Sequence, residues 1–180
     1  MILSCAEAET IYKTRNKLRK ALKEKEILRI ERGYYSKDKF VNPIELIVKK
    51  YPNYIISKDT AFYIHGLTDV IPNKIDLSTP RVTAKINDEK INQMFVSEKF
   101  FEIGKTKMTF EGVEVNVYDK ERMLIELMRN QKSVALDYYI EIINSYRQIK
   151  NELNITKITE YMKNFKNENF IYDKIMKAVM

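Results

Sequence analysis

The stretch Thr14-Arg-Asn-Lys-Leu-Arg-Lys-Ala-Leu-Lys-Glu-Lys-Glu-Ile-Leu-Arg-Ile-Glu-Arg-Gly-Tyr-Tyr35 carries the reading on which the fold turns. In its first half Leu18, Ala21 and Leu22 form one narrow apolar stripe at helical spacing. Thr14 stands where an N-cap belongs, which predicts a helix running to about Lys25. On the opposite face Arg15, Arg19 and Lys23 follow at i, i+4 and i+8, with Asn16 and Lys20 beside them. The second half changes period. Ile27-Leu-Arg-Ile30 reads as a short apolar strand, Glu31-Arg32-Gly33 as a turn and Tyr34-Tyr35 as its return. That is a tight hairpin, with Gly33 supplying the positive φ the turn needs.

Toward the N-terminus, Ser4-x-x-Glu7 has the form of a capping box that opens a helix through Tyr12, and Lys13-Thr14 is the turn between the two helices. Helix, turn, second amphipathic helix and hairpin is the order of a winged helix-turn-helix. In that arrangement the second helix enters the major groove by its N-terminal end. Arg15, Asn16 and Arg19 are of the types that read purines, Arg pairing bidentately with guanine and Asn with adenine. Lys20, Lys23, Arg29 and Arg32 suit phosphate contacts, and Thr14, at the mouth of the helix, is counted with the DNA-facing set. The expected domain spans residues 1–40, with Asn42-Pro43 just beyond its exit. It is a reduced version of the motif, because only three residues precede Ser4 and the usual leading helix is shortened or missing.

Charge follows the same division. The 180 residues hold 32 Lys+Arg against 25 Asp+Glu, a formal net charge of +7. Between Lys13 and Lys39 stand 11 basic and 4 acidic residues, leaving 21 of each sign elsewhere. A lysine-rich composition alone would scatter the excess. Four of the 8 arginines nevertheless fall at 15, 19, 29 and 32, the clustering expected of a nucleic-acid footprint. The competing reading is a solvated basic helix on an ordinary surface.

A second domain is expected over residues 43–180. Pro43 can open a helix that ends before Tyr51-Pro52, and Ser57 is placed to cap a helix running to His65, with Gly66 at its stop. Alternation at Lys74–Ser78, Lys107–Phe110 and Val113–Val117 predicts half-buried strands, the last two joined by Glu111-Gly112 as a hairpin. From Asp119 onward the apolar spacing is helical, first at Met123, Leu124, Leu127 and Met128, then at Tyr139, Ile142, Ile143 and Tyr146. Further faces follow at Ile158–Phe165 and Ile171–Val179. The expected class is α+β: a small N-terminal winged helix-turn-helix, then an antiparallel-sheet domain with a helical C-terminal third.

Catalytic chemistry finds little to work with. A single Cys5 excludes an internal disulfide framework or a multi-cysteine zinc site and suits a reducing, cytoplasmic setting. His65 is the lone histidine and reads as a buried or capping side chain rather than a general base. Nothing in the sequence places it near Cys5 as a thiol–imidazole pair. The isolated glycines at 33, 66, 104 and 112 cannot form a phosphate loop, dinucleotide fingerprint or nucleophile elbow. No run of about 18 apolar residues spans a membrane. The expectation is a non-enzyme without cofactor or metal.

Four segments resemble the AbiEi-type antitoxins. Lys25-Glu-Ile-Leu-Arg-Ile-Glu-Arg-Gly-Tyr-Tyr-Ser36 is similar to the wing that closes their N-terminal domain. Ser57-Lys-Asp-Thr-Ala-Phe-Tyr-Ile-His-Gly-Leu-Thr68, followed by Ile75-Asp-Leu-Ser-Thr-Pro80, resembles the start of their C-terminal domain. Gly112-Val-Glu-Val-Asn-Val-Tyr-Asp-Lys-Glu-Arg-Met-Leu-Ile-Glu-Leu127 resembles their strand-then-helix signature, and Ile158-Thr-Glu-Tyr-Met-Lys-Asn-Phe165 their helical tail. The resemblance implies a transcriptional repressor and antitoxin of a bacterial abortive-infection, type IV toxin–antitoxin operon. It implies binding to inverted repeats in double-stranded promoter DNA. It also implies counteraction of a nucleotidyltransferase-type toxin that need not be held in a stable complex. The alternative is a protein-interaction module that contacts a toxin or other partner through the domain from Pro43 onward and does not bind DNA.

Overall fold

The computed structural model describes residues 1–180, and these divide into two compact units, Met1–Pro52 and Asn53–Met180. The fold is mixed α+β throughout.

In the first unit, strand β1 (Ile2–Ser4) leads directly into helix α1 (Cys5–Tyr12). The capping box forms in full. Ser4 Oγ accepts the Glu7 N–H, and a Glu7 carboxylate oxygen accepts the Ser4 N–H at 2.8 Å. Lys13 takes a left-handed φ of 63° and ends the helix, and Thr14 Oγ1 accepts the Lys17 N–H to open α2 (Arg15–Lys23). Helix α2 ends without glycine in a Schellman motif. Lys25 adopts φ 59°, its N–H donates to the Leu22 carbonyl, and the Glu26 N–H donates to the Ala21 carbonyl at 2.9 Å.

The hairpin of β2 (Leu28–Glu31) and β3 (Tyr34–Ser36) turns at Arg32-Gly33, where Gly33 holds φ 86°, and a bulge lies between Arg29 and Glu31. Strand β1 pairs antiparallel with β3, giving a three-stranded sheet in the order β1-β3-β2. So Ile2–Ser4, just ahead of α1, make a sheet strand. Leu3, Ala8, Leu18, Ala21 and Ile27 form the core, with Tyr12, Leu22 and Tyr35 packed against it.

The domain boundary expected at residues 40–43 moves. Helix α3 (Pro43–Lys50) belongs to the first unit. Asn42 caps it, Ile44, Leu46 and Ile47 are buried, and Glu45 accepts the Ile2 N–H at 2.8 Å. Lys49 pairs with Glu7 at 2.6 Å and Lys50 with Glu31 at 2.9 Å. These contacts join residues some 20 to 40 positions apart. No local signal in the chain reports them.

Glu7 thus serves the cap and the Lys49 pair together, and its hydrogen bonds from Lys49 and Ser4 hold its pKa down at about 2, against an ordinary 4.5. A depressed carboxyl contributes stability above the unfolded pKa and loses it as pH falls through the folded one. We therefore expect the stability difference between wild type and Glu7→Gln to be full above pH 4.5 and to vanish as pH approaches 2. Denaturant melts across that range measure it.

The second unit is built on a five-stranded sheet in the order β6-β5-β4-β8-β7. Its strands are β4 (Ile55–Ile56), β5 (Ile75–Pro80), β6 (Ile91–Val96), β7 (Lys105–Phe110) and β8 (Val113–Tyr118). The sheet is mixed, not antiparallel as expected. β4–β5 and β7–β8 run antiparallel, whereas β4–β8 and β5–β6 run parallel. Strand β6 has no alternating signature because its polar residues are used across the ladder. Asn92 donates to Asp76 at 2.6 Å and Gln93 to Thr79 at 2.9 Å. Ser57 occupies the N-cap position of α4 (Lys58–Ile64) without capping it, its Oγ instead accepting from Ser78 Oγ at 2.9 Å. His65 closes α4 and its Nε2 lies 2.7 Å from the Tyr118 carbonyl, so that nitrogen carries the proton and donates. Burial lowers the His65 pKa, consistent with a neutral ring.

After the short α5 (Glu98–Phe101) and the β7–β8 hairpin come α6 (Lys120–Arg129), α7 (Leu136–Gln148), α8 (Ile155–Met162) and α9 (Glu168–Ala178). Asp119 caps α6 by accepting the Arg122 N–H at 2.9 Å. The predicted faces supply the core, with Leu124, Ile142, Tyr146, Ile158 and Ile175 fully buried. So is Arg122, at 2% exposure. No helix is long and apolar enough to cross a membrane.

Candidate nucleic-acid interface

Helix α2 divides sharply between its faces. Leu18 and Ala21 are buried and Leu22 is partly so, while Arg15, Asn16, Lys17, Arg19, Lys20 and Lys23 are exposed. Four predicted cations and Asn16 therefore share one solvent face of a rod about 13 Å long. Thr14 is the capping residue at its mouth, with its hydroxyl engaged by the Lys17 N–H. Arg29 lies exposed on β2, its Nε 3.4 Å from the Glu31 carbonyl, and Arg32 stands exposed in the hairpin turn. The structure therefore gathers Arg15, Asn16, Arg19, Lys20 and Lys23 on one element and places Arg29 and Arg32 on another.

The state of each cation differs. Arg19, Lys23 and Arg32 take part in no ion pair, whereas Lys20 lies 3.7 Å from Glu24 one turn on. Arg15 donates from Nε to Glu9 Oε1 at 2.8 Å, a bond from α1 that raises its guanidinium pKa. Glu9 is the residue that sequence reasoning missed. It lies across the turn from Arg15, and no repeat spacing advertises the pair. Its bond occupies only Nε. The Arg15 terminal amino groups keep the fork that bidentate recognition requires, on a side chain still 80% exposed. Tyr34 and Tyr35 are half-buried, and Tyr35 packs on the core.

The first unit carries an excess of positive charge. Met1–Pro52 contains 13 basic and 7 acidic residues, and two of the acidic ones, Glu7 and Glu31, pair with Lys49 and Lys50 of α3. With Glu9 on Arg15 and Glu24 near Lys20, the predicted α2 cations left without an acidic partner are Arg19 and Lys23. Surface charges of this kind act by steering and by releasing counterions from phosphates, both salt-dependent effects.

No family model and no curated protein matches the chain. Among solved structures, the crystal structure of RV2827C protein from Mycobacterium tuberculosis is similar in fold, with a TM-score of 0.64 at 7% sequence identity. The match covers 96% of this chain and 71% of that one, and at such identity the likeness is one of fold alone.

Proposed function

We propose that the protein is a DNA-binding repressor and antitoxin of the AbiEi type. Its first unit would act as a reduced winged helix-turn-helix on inverted repeats in its own promoter, and the protein would counteract a nucleotidyltransferase-type toxin. The observation that carries this reading is the exposed cationic face of α2, held over a buried Leu18–Ala21 stripe at the end of a two-residue turn. The hairpin of β2 and β3, closed into a sheet by β1, supports the assignment of a wing. In this reading Arg15, Asn16 and Arg19 meet base edges, while Lys20, Lys23, Arg29 and Arg32 meet phosphates.

Fluorescence anisotropy with the inverted repeat upstream of the gene tests it. Arg15→Ala or Arg19→Ala is expected to cost about 1–3 kcal/mol of binding and to relax selectivity at one position of the site. Lys23→Ala or Arg32→Ala is expected to weaken all sequences alike and to reduce the salt slope by about one. Equal binding of the Arg15 and Arg19 variants and the wild type would overturn the assignment.

A second reading has its own observation. Leu136 and Ile140 stand exposed one turn apart on α7, at 68% and 46%, as a protein-contacting helix would present them. A tight complex with the neighbouring gene product, together with no operator binding, would favour that interaction module.

A further inference from the structure

The second unit contains an open cleft of about 990 Å³, at the upper end of the size range of small-molecule sites. Its walls come from the β5–β6 edge, α4, α6 and the segment entering α7. Three properties of the lining specify a ligand. The first is apolar area. Val70, Ile71 and Phe95 line the cleft yet remain 51%, 71% and 45% exposed, a surface for which a flat ring is a natural cover.

The second property is charge. Lys58, Arg81, Arg122 and Arg129 face the cleft against Asp59 and Glu126 only, and Glu126 is already engaged by both Arg122 and Arg129 at 2.9 Å. Arg81 is exposed and makes no ion pair, so it is the cation available to an incoming anion.

The third property is a missing hydrogen bond. The Tyr138 hydroxyl is a buried side-chain polar atom that makes no hydrogen bond of ordinary geometry, and it lies on this cleft close enough to the Asp59 carboxyl and to Thr68 to interact with both. A buried hydroxyl left unpaired is costly and rare, and a donor-bearing ring edge inserted here would satisfy both groups.

We propose that this cleft binds a nucleotide, with the base packed on Phe95 and its edge bonded by Tyr138 and Asp59, and the phosphate on Arg81. Every residue of the site belongs to the second unit and none to α2, so the proposal does not depend on the DNA-binding reading.

Calorimetric titration of the full-length protein with ribonucleoside mono- and triphosphates tests the proposal, with the nucleosides alone and inorganic phosphate as partial ligands. A nucleotide is expected to bind at least about tenfold more tightly than either part, because base and phosphate contacts act together in one molecule. Arg81→Ala is expected to lower nucleotide affinity about tenfold and to leave nucleoside binding unchanged. Tyr138→Phe is expected to lower both nucleotide and nucleoside affinity about tenfold with little change in melting temperature, since the hydroxyl makes no hydrogen bond of ordinary geometry to lose. Absence of binding heat at millimolar nucleotide would overturn the proposal. So would nucleotide binding that neither substitution changes.

Discussion

Arg122→Ala is expected to destabilise the Asn53–Met180 unit by about 3–5 kcal/mol, the range for removing one partner of a buried, hydrogen-bonded charge. The guanidinium is 2% exposed and donates to the Phe100 and Ile103 carbonyls at 2.9 and 3.0 Å. It also pairs with Glu126 at 2.9 Å and lies 4.8 Å from the ring centres of both Tyr118 and Phe165. Alanine would orphan two carbonyls that the helix–strand connection cannot satisfy otherwise. It would also open a cavity between two aromatic rings. Thermal unfolding should show a fall of about 10 °C for a unit of this size. A fall of under about 3 °C would show that water or Arg129 replaces the lost bonds. Arg129 is the natural substitute, since it shares Glu126 and sits 4.3 Å from the Phe165 ring centre.

The second large effect is expected at Ile27. Its side chain is fully buried in a small core with Leu3, Ala8, Leu18 and Ala21, two of them alanines, against which Tyr12, Leu22 and Tyr35 pack. Ile27→Ala should cost about 2–5 kcal/mol through lost burial and a cavity that so small a core cannot close. A unit the size of Met1–Pro52 has little stability to spare, so that loss should leave it largely unfolded at 37 °C. On the proposed DNA-binding function, operator binding should then disappear although every cationic side chain is retained. Circular dichroism melts beside anisotropy separate this outcome from Arg15→Ala, which should lose affinity with its melting temperature unchanged. Retained operator binding by a molten Ile27→Ala variant would mean that the cations bind without the fold that presents them.

The two substitutions also mark where sequence reasoning succeeds and where it stops. Around Ile27 nearly everything was legible. Ser4 and Glu7 cap α1, Thr14 caps α2, and Gly33 turns the hairpin, because each of these bonds spans only two or three residues. The α2 cations were legible for a related reason, since helical periodicity alone decides that Leu18 and Ala21 turn inward and Arg19 and Lys23 outward. Glu9 was not legible as the partner of Arg15, because that bond depends on how the two helices meet.

Around Arg122 little was legible beyond the Asp119 cap. An arginine in an amphipathic helix reads as surface charge. Only the approach of Phe100, Ile103 and Phe165 makes it the most enclosed cation in the chain. Gly104 is part of the same arrangement. A β-carbon there would lie 2.5 Å from Arg122 Cβ, and φ is 75°, so only glycine fits where the β7 strand begins.

By itself, then, the amino-acid sequence determined the caps, the turns, the facing of the helices and the location of the excess charge. All of these are set by interactions within about one helical turn or one hairpin. Tertiary structure decided the rest. It assigned α3 to the first unit through Glu7, Glu31 and Glu45, recruited Ile2–Ser4 as a sheet strand, ran β4–β8 and β5–β6 parallel, and left the Tyr138 hydroxyl on a cleft without a hydrogen bond of ordinary geometry. Those outcomes depend on backbone and side-chain groups tens of residues apart. Their bonding partners are chosen by packing, and no local spacing in the chain encodes the choice.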